Sequence, residues 1–356
     1  LPEDNATRVL RAKGLIIAPG FIDVHTHIEG NSLTVPTAGN FILDGVTSVV
    51  TGNCGSSNTD IARYFEQLDS VKTSINIATL VGHNSVRKSV MGDSQRDPSS
   101  AEQKSMEELV GQAMRNGAVG FSTGLIYVPG TYSKMPEVVG LARAASQYNG
   151  VYASHIRDEG DHVTEAIEEA INIGRQASIP VEISHFKVTY KPNWGRSVQT
   201  IAQVEKARQE GIDVTVDQYP YVASSTSLNT VLPSWVFSGG NDSLEFRLKD
   251  VIIRKKIKNE MLETLKEKKL KSYTYAVVAR YGADTTLNGK NITEINVLKG
   301  RKPKASEEIE TILEMVEKGS AQMVFFSMNE SDLINIMRYP HNMFASDAGI
   351  ARFGSG

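Results

Sequence analysis

Apolar and polar positions along the chain change period again and again. Short runs rich in Val, Ile and Thr give way to stretches whose apolar residues recur every three or four positions, the mark of strands alternating with helices. Eight runs read as strands, at 20–27, 47–53, 74–82, 118–123, 150–156, 179–186, 212–220 and 343–347. The clearest helical stretch, 162–177, places Val163, Ala166, Ile167, Ala170, Ile171 and Gly174 on one face. Ser99-Ser100 opens another helix, with acidic residues close behind and Asn116-Gly117 as its stop. Eight strands, each followed by a helix, predict an α/β fold of the (β/α)8 TIM-like barrel type, whose reactive groups gather at the C-terminal ends of the strands. A doubly wound open sheet is the alternative, but no Gly-x-Gly-x-x-Gly follows the first strand.

The interval between the seventh and eighth strands is too long for a barrel loop. The pattern therefore divides the chain into a remnant of an N-terminal β-domain and linker (1–19), barrel strands one to seven (20–227), an inserted subdomain (228–321) and the region of strand eight (322–356). Within the insertion, 250–269 reads as a helix and 273–279 as a strand. The lysines and arginines of that helix face away from Ile253, Ile257, Met261 and Leu265, as on an ordinary solvated helix. The chain starts at Leu1 without Met and stops at Gly356 soon after the last motif, which reads as a segment of a longer protein.

Composition narrows the classes. With 40% hydrophobic and 22% charged residues the chain is globular, and a net charge of -3 gives no reason to expect nucleic acid or an anionic membrane as partner. No run approaches a membrane span. The single cysteine, Cys54, excludes an internal disulfide. The reading favours a cytoplasmic setting and leaves a periplasmic or exported one open; the oligomeric state is not legible.

Candidate chemistry falls at the predicted strand ends. The first strand closes with His25-Thr26-His27, whose imidazoles, two residues apart, share one side of a strand. The second ends in Gly52-Asn53-Cys54-Gly55, the fifth in Ser154-His155, the sixth in Ser184-His185 and the eighth in Ser346-Asp347. Each is common alone. Together they bring imidazole, thiolate and carboxylate to one rim, a donor set that suits zinc. His83, after the third strand, reads as a structural hydrogen-bonding group.

These motifs resemble the amidohydrolase superfamily, which carries His-x-His on strand one, histidines on strands five and six and an aspartate on strand eight. Many members carry a carboxylated lysine on strand four, whereas Gly117–Thr123 here contains none. That departure, with Gly124-Leu125-Ile126-Tyr127-Val128-Pro129-Gly130, Ser154-His155-Ile156-Arg157-Asp158-Glu159-Gly160 and Asp217-Gln218-Tyr219-Pro220-Tyr221, is similar to the D-aminoacylase (N-acyl-D-amino-acid deacylase) branch, where a strand-two cysteine takes the lysine's place. Ile28-Glu29 stands where the branch commonly has paired acidic residues.

The resemblance implies one tightly held zinc on Cys54, His155 and His185, and a second, weaker site formed by His25 and His27 with Cys54 shared. It implies Asp347 as general base and then acid in hydrolysing the amide of an N-acyl-D-amino acid. Tyr127 and Tyr219 become hydrogen-bond donors to substrate. Lys187, two residues beyond His185, is the expected cation for the substrate carboxylate. Arg157, Asp158 and Glu159 are expected to brace their loop. The alternatives are a cyclic amide hydrolase of the dihydroorotase or hydantoinase kind, a metal-free enzyme with Cys54 as nucleophile, and a non-catalytic barrel-derived binding protein.

Overall fold

The computed structural model describes residue 7 and residues 9–352. Residues 1–6, 8 and 353–356, which bear on the expected terminal remnant and the end of the chain, lie outside the described residues.

Eight parallel strands run in the order expected of a barrel. They are β1 (Phe21–Asp23), β2 (Val46–Thr51), β3 (Asn76–Gly82), β4 (Gly120–Gly124), β5 (Val151–His155), β6 (Val181–Ile183), β7 (Val214–Gln218) and, after a long excursion, β11 (Asn342–Phe344). Each pairs with its neighbour, and β11 lies against β7. The seam between β11 and β1 is closed just beyond the strand ends. A parallel bridge joins Thr26 to Ala348, His27 N donates to Ala348 O at 2.9 Å, and Asp347 N donates to His25 O at 3.0 Å.

Helices pack round the outside because their apolar stripes have one face to bury. In the helix Val163–Ala177 the six residues that set the period are all buried. At about 1.5–3 kcal/mol for each large aliphatic side chain removed from water, this face outweighs any local propensity. The helix Ser100–Arg115 begins with a reciprocal capping box between Ser99 and Glu102.

Between β7 and β11 the chain builds a second unit with its own apolar core, centred on Leu228, Val236, Ile257, Met261, Ile309 and Ile312. A three-stranded antiparallel sheet binds it together, in the order β8 (Ser224–Ser227), β10 (Gln322–Phe325), β9 (Ala276–Arg280). The edge strand β8 and the central strand β10 lie just outside the 228–321 interval, one on each side, and β9 comes from within it. The helix Val251–Glu267 buries Ile257, Met261 and Leu265, and its Arg254 pairs with Glu310. No described helix is long and apolar enough to cross a membrane.

Candidate metal centre

All the strand-end donors meet at the C-terminal mouth of the barrel. Cys54 is buried there, with Sγ 3.5 Å from His25 Nε2, 3.6 Å from His155 Nδ1 and 3.5 Å from His185 Nε2. Three triads have their donor atoms within 4.8 Å of one another: His25, His27 and Cys54; Cys54, His155 and His185; His25, His185 and Asp347. Asp347 Oδ1 lies 3.1 Å from His27 Nε2 and 3.4 Å from His25 Nε2.

The backbone takes an unusual route to this arrangement. The sixth strand was expected to run to 186, but β6 ends at Ile183, and His185 has φ 39°. Cys54 (φ 52°) and Asp347 (φ 54°) are also left-handed. A residue with a Cβ costs about 1–3 kcal/mol in such a conformation, so the surroundings must fix it. They do so by hydrogen bonds. His185 N donates to Asp217 Oδ1 at 2.8 Å, Gly55 N donates to Ser122 Oγ at 3.1 Å, and Asp347 N is held by the barrel seam. Glu29 accepts from Thr51 Oγ1 at 2.6 Å and from Gly52 N, pinning the turn that leads into Cys54.

Electrostatics follow from crowding these groups in a buried space. Burial alone would raise the Cys54 thiol, but His25 and the hydrogen bonds from His155 and His185 bring it well below its ordinary value. Burial would lower His185, yet Cys54 and Glu159 lift it to about 9. Burial likewise opposes the charge on His27, and Asp347 with Cys54 lifts it to about 10. Burial and the neighbouring His185 hold His155 down. Burial works against ionised Asp347, but His27 and His25 keep it below the usual carboxylate range.

A divalent cation fits this donor set. The cluster holds positive imidazoles against a thiolate, and a dication balances the same thiolate with neutral imidazoles. In tetrahedral zinc sites, Zn–S of about 2.3 Å and Zn–N of about 2.0–2.1 Å put sulfur and nitrogen about 3.6 Å apart. The three spacings around Cys54 match that edge.

The remaining expected residues are close by. Lys187 is buried, with Nζ 2.6 Å from Glu159 Oε1, 2.7 Å from His185 Nδ1 and 5.4 Å from the centre of the Tyr219 ring. The Tyr127 ring lies 4.8 Å from that of His155, and its hydroxyl accepts from Thr226 Oγ1 of β8 at 3.2 Å. A cavity of 1230 Å³ opens above these groups, lined by Tyr127, Lys187, Tyr219 and Asp347 on the barrel side and by Leu232, Glu260 and Tyr275 on the opposite side. His83 is elsewhere, bonded to Glu137 at 2.8 Å. Arg157 pairs with Glu169, and Asp158 accepts from Gly160 N and His162 N, so both brace their loop.

Two acids at the centre differ from the sequence reading. Asp217 had no assigned part, and it accepts from His25 Nδ1 at 3.0 Å. Glu159, expected to brace its loop beside Arg157 and Asp158, turns inward to His185 and Lys187 instead. Asp217 stood at the end of a predicted strand, a position shared by every other donor, and that was the available signal. Glu159 follows a strand in a loop and carried no such signal.

The amidohydrolase family pattern matches residues 8–211, more than half of the chain. The chain belongs to the amidohydrolase family. Among curated relatives, an N-acyl-D-glutamate deacylase of Alcaligenes xylosoxydans xylosoxydans is 41% identical over 63% of this chain and 50% of its own length. A D-aminoacylase of the same organism is 40% identical over 60% of this chain and 49% of its own. The crystal structure of an N-acyl-D-glutamate deacylase from Bordetella bronchiseptica, complexed with zinc and a phosphonate mimic of the tetrahedral intermediate, is 30% identical. It covers 92% of this chain and 65% of that one, with a TM-score of 0.75. A D-aminoacylase crystal structure matches over the same shares at 30% identity, with a TM-score of 0.73. The matches to the curated relatives span about half of their length. The (β/α)8 barrel of this chain is thus also the fold of solved relatives, and its β4 (GFSTG) carries no lysine.

Proposed function

We propose that the chain carries the zinc-dependent centre of an N-acyl-D-amino-acid deacylase, which hydrolyses the substrate amide to a carboxylate and a D-amino acid. The observation that supports this most is the ring of three imidazoles around one buried thiol, with Asp347 at its edge. The named activities of the relatives give the substrate class and its handedness.

In this reading Cys54, His155 and His185 hold the tight zinc, and His25 and His27 with Cys54 form the weaker site. Zinc, when bound, supplies Lewis acidity toward the acyl carbonyl and lowers the pKa of a water molecule. Asp347 is ionised and 22% exposed, so it can accept a proton at Oδ1 and pass it to the departing nitrogen. Tyr127, its hydroxyl held by Thr226, donates to the carbonyl oxygen as charge develops there. Lys187 and Tyr219 take the substrate carboxylate. Residues of the inserted unit, such as Leu232, Glu260 and Tyr275, line the side of the cavity away from the barrel. The proposed partner is this small molecule alone, without nucleic acid or membrane, in a cytoplasmic setting.

A panel of N-acetyl-D- and N-acetyl-L-amino acids, assayed with and without a chelator, tests the reading. Turnover of D-substrates that stops on chelation and returns with zinc is expected. Activity that survives complete metal removal would instead favour a Cys54 nucleophile.

The carboxylate anchor gives a second expectation. Lys187→Met should raise KM for N-acyl amino acids by about 10–100-fold, the loss of one charge-assisted hydrogen bond of 1.5–3 kcal/mol. Zinc content should stay near that of the native protein. An unchanged KM would remove Lys187 from the substrate site.

A further inference from the structure

Each imidazole beside Cys54 turns only one of its two nitrogens toward the sulfur. His155 presents Nδ1, at 3.6 Å, and His185 presents Nε2, at 3.5 Å. A neutral imidazole offers a metal the lone pair of one nitrogen while the other carries the proton. When both histidines are ligands, the proton must therefore lie on Nε2 of His155 and on Nδ1 of His185. Both of those nitrogens face one atom. Glu159 Oε1 is 3.1 Å from His185 Nδ1 and 3.9 Å from His155 Nε2. That nitrogen of His155 is buried without a hydrogen-bond partner, and at 3.9 Å the Glu159 oxygen attracts its N–H electrostatically rather than bonding it. Opposite ring edges, presented by residues from β5 and from just beyond β6, thus converge on a single carboxylate oxygen.

A competitor is also present. Lys187 Nζ is 2.7 Å from His185 Nδ1, and an ammonium can only donate. If it donates there, the proton of His185 sits on Nε2, the N–H points at Cys54, and the ring is no ligand. Glu159 Oε1 accepts the same ammonium at 2.6 Å and offers Nδ1–H an acceptor.

We propose that Glu159 is the positioning residue that selects the ligating tautomers of His155 and His185. The proposal rests on reading Cys54, His155 and His185 as the tight zinc site. Carboxylates behind ligand imidazoles typically change metal affinity about 10–100-fold when removed, and a loss of that size is expected for Glu159→Gln in a zinc titration against a competing chelator. The single variant leaves the buried Lys187 ammonium without its counter-charge, which by itself could disturb the fold. Glu159→Gln/Lys187→Met removes both charges. It is expected to show the same loss, while Lys187→Met alone keeps zinc affinity within about threefold of native.

Native-like zinc affinity in the double variant would overturn the proposal, because Glu159 would then act only through Lys187. Nitrogen-15 spectra of the zinc-loaded native protein give a readout independent of affinity. They are expected to show His185 as the Nδ1–H form and His155 as the Nε2–H form, and the reverse assignment would overturn the idea. A native chain with no tight zinc would overturn this proposal and the zinc reading together, and the titration reveals that before any variant is compared.

Discussion

Asp347→Asn is expected to keep its zinc and lose about 10²–10⁴-fold in turnover, the usual worth of a positioned general acid–base group. The geometry makes this a clean substitution. Asparagine has the shape of aspartate, and its amide oxygen can still accept from His27 Nε2, now 3.1 Å from Oδ1. What it cannot do is take up a proton and give it back. The backbone contribution is unaltered, because asparagine tolerates the left-handed conformation at this position at least as well. Metal content by mass spectrometry and kcat on one sample check both halves. Full zinc with near-native kcat would end the assignment of Asp347 as the proton carrier.

Cys54→Ser tests the centre itself. One sulfur is common to two of the three donor triads, including the one proposed to hold zinc tightly, so its loss should empty that site rather than loosen one bond. A serine hydroxyl keeps its proton near neutrality and offers zinc a much poorer donor than thiolate. After exhaustive dialysis, zinc should fall from about one per chain to below about 0.1, and turnover should fall with it. Near-native melting would show that the fold survives. Retention of one zinc in a folded Cys54→Ser protein would move the tight site elsewhere.

The barrel was legible because its signal is repetitive. Buried strands and one-faced helices each impose a period, and all eight barrel strands fall within or beside the intervals expected of them. The donors were legible for a related reason, since a histidine or cysteine closing an apolar strand has no packing role there. The subdomain sheet was less so. Ser224–Ser227 is a run of serine and threonine that reads as a loop, and only its pairing with Gln322–Phe325 makes it a strand. The left-handed turns at Cys54, His185 and Asp347 were hidden because nothing local demands them; hydrogen bonds from distant residues impose them. Glu159 was hidden likewise. Its neighbours Arg157 and Asp158 turn to the loop, and only the packed structure sends the third acidic or basic side chain of that run inward.

The seam of the barrel has a consequence for how the molecule comes into being. His25 and Asp347, more than 300 residues apart in sequence, are joined there by a backbone hydrogen bond, and the neighbouring Thr26–Ala348 bridge shuts the cylinder. Loop closure over such a distance comes late in folding, after local strand and helix pairs have formed. A ribosome delivers β1 long before β11, so the nascent chain must hold an open, unsealed sheet while the inserted unit is made. Asp347, the proposed proton carrier, arrives just after β11. Closing the seam therefore also completes the donor cluster, and a barrel without β11 would display its thiol and imidazoles without the carboxylate of Asp347.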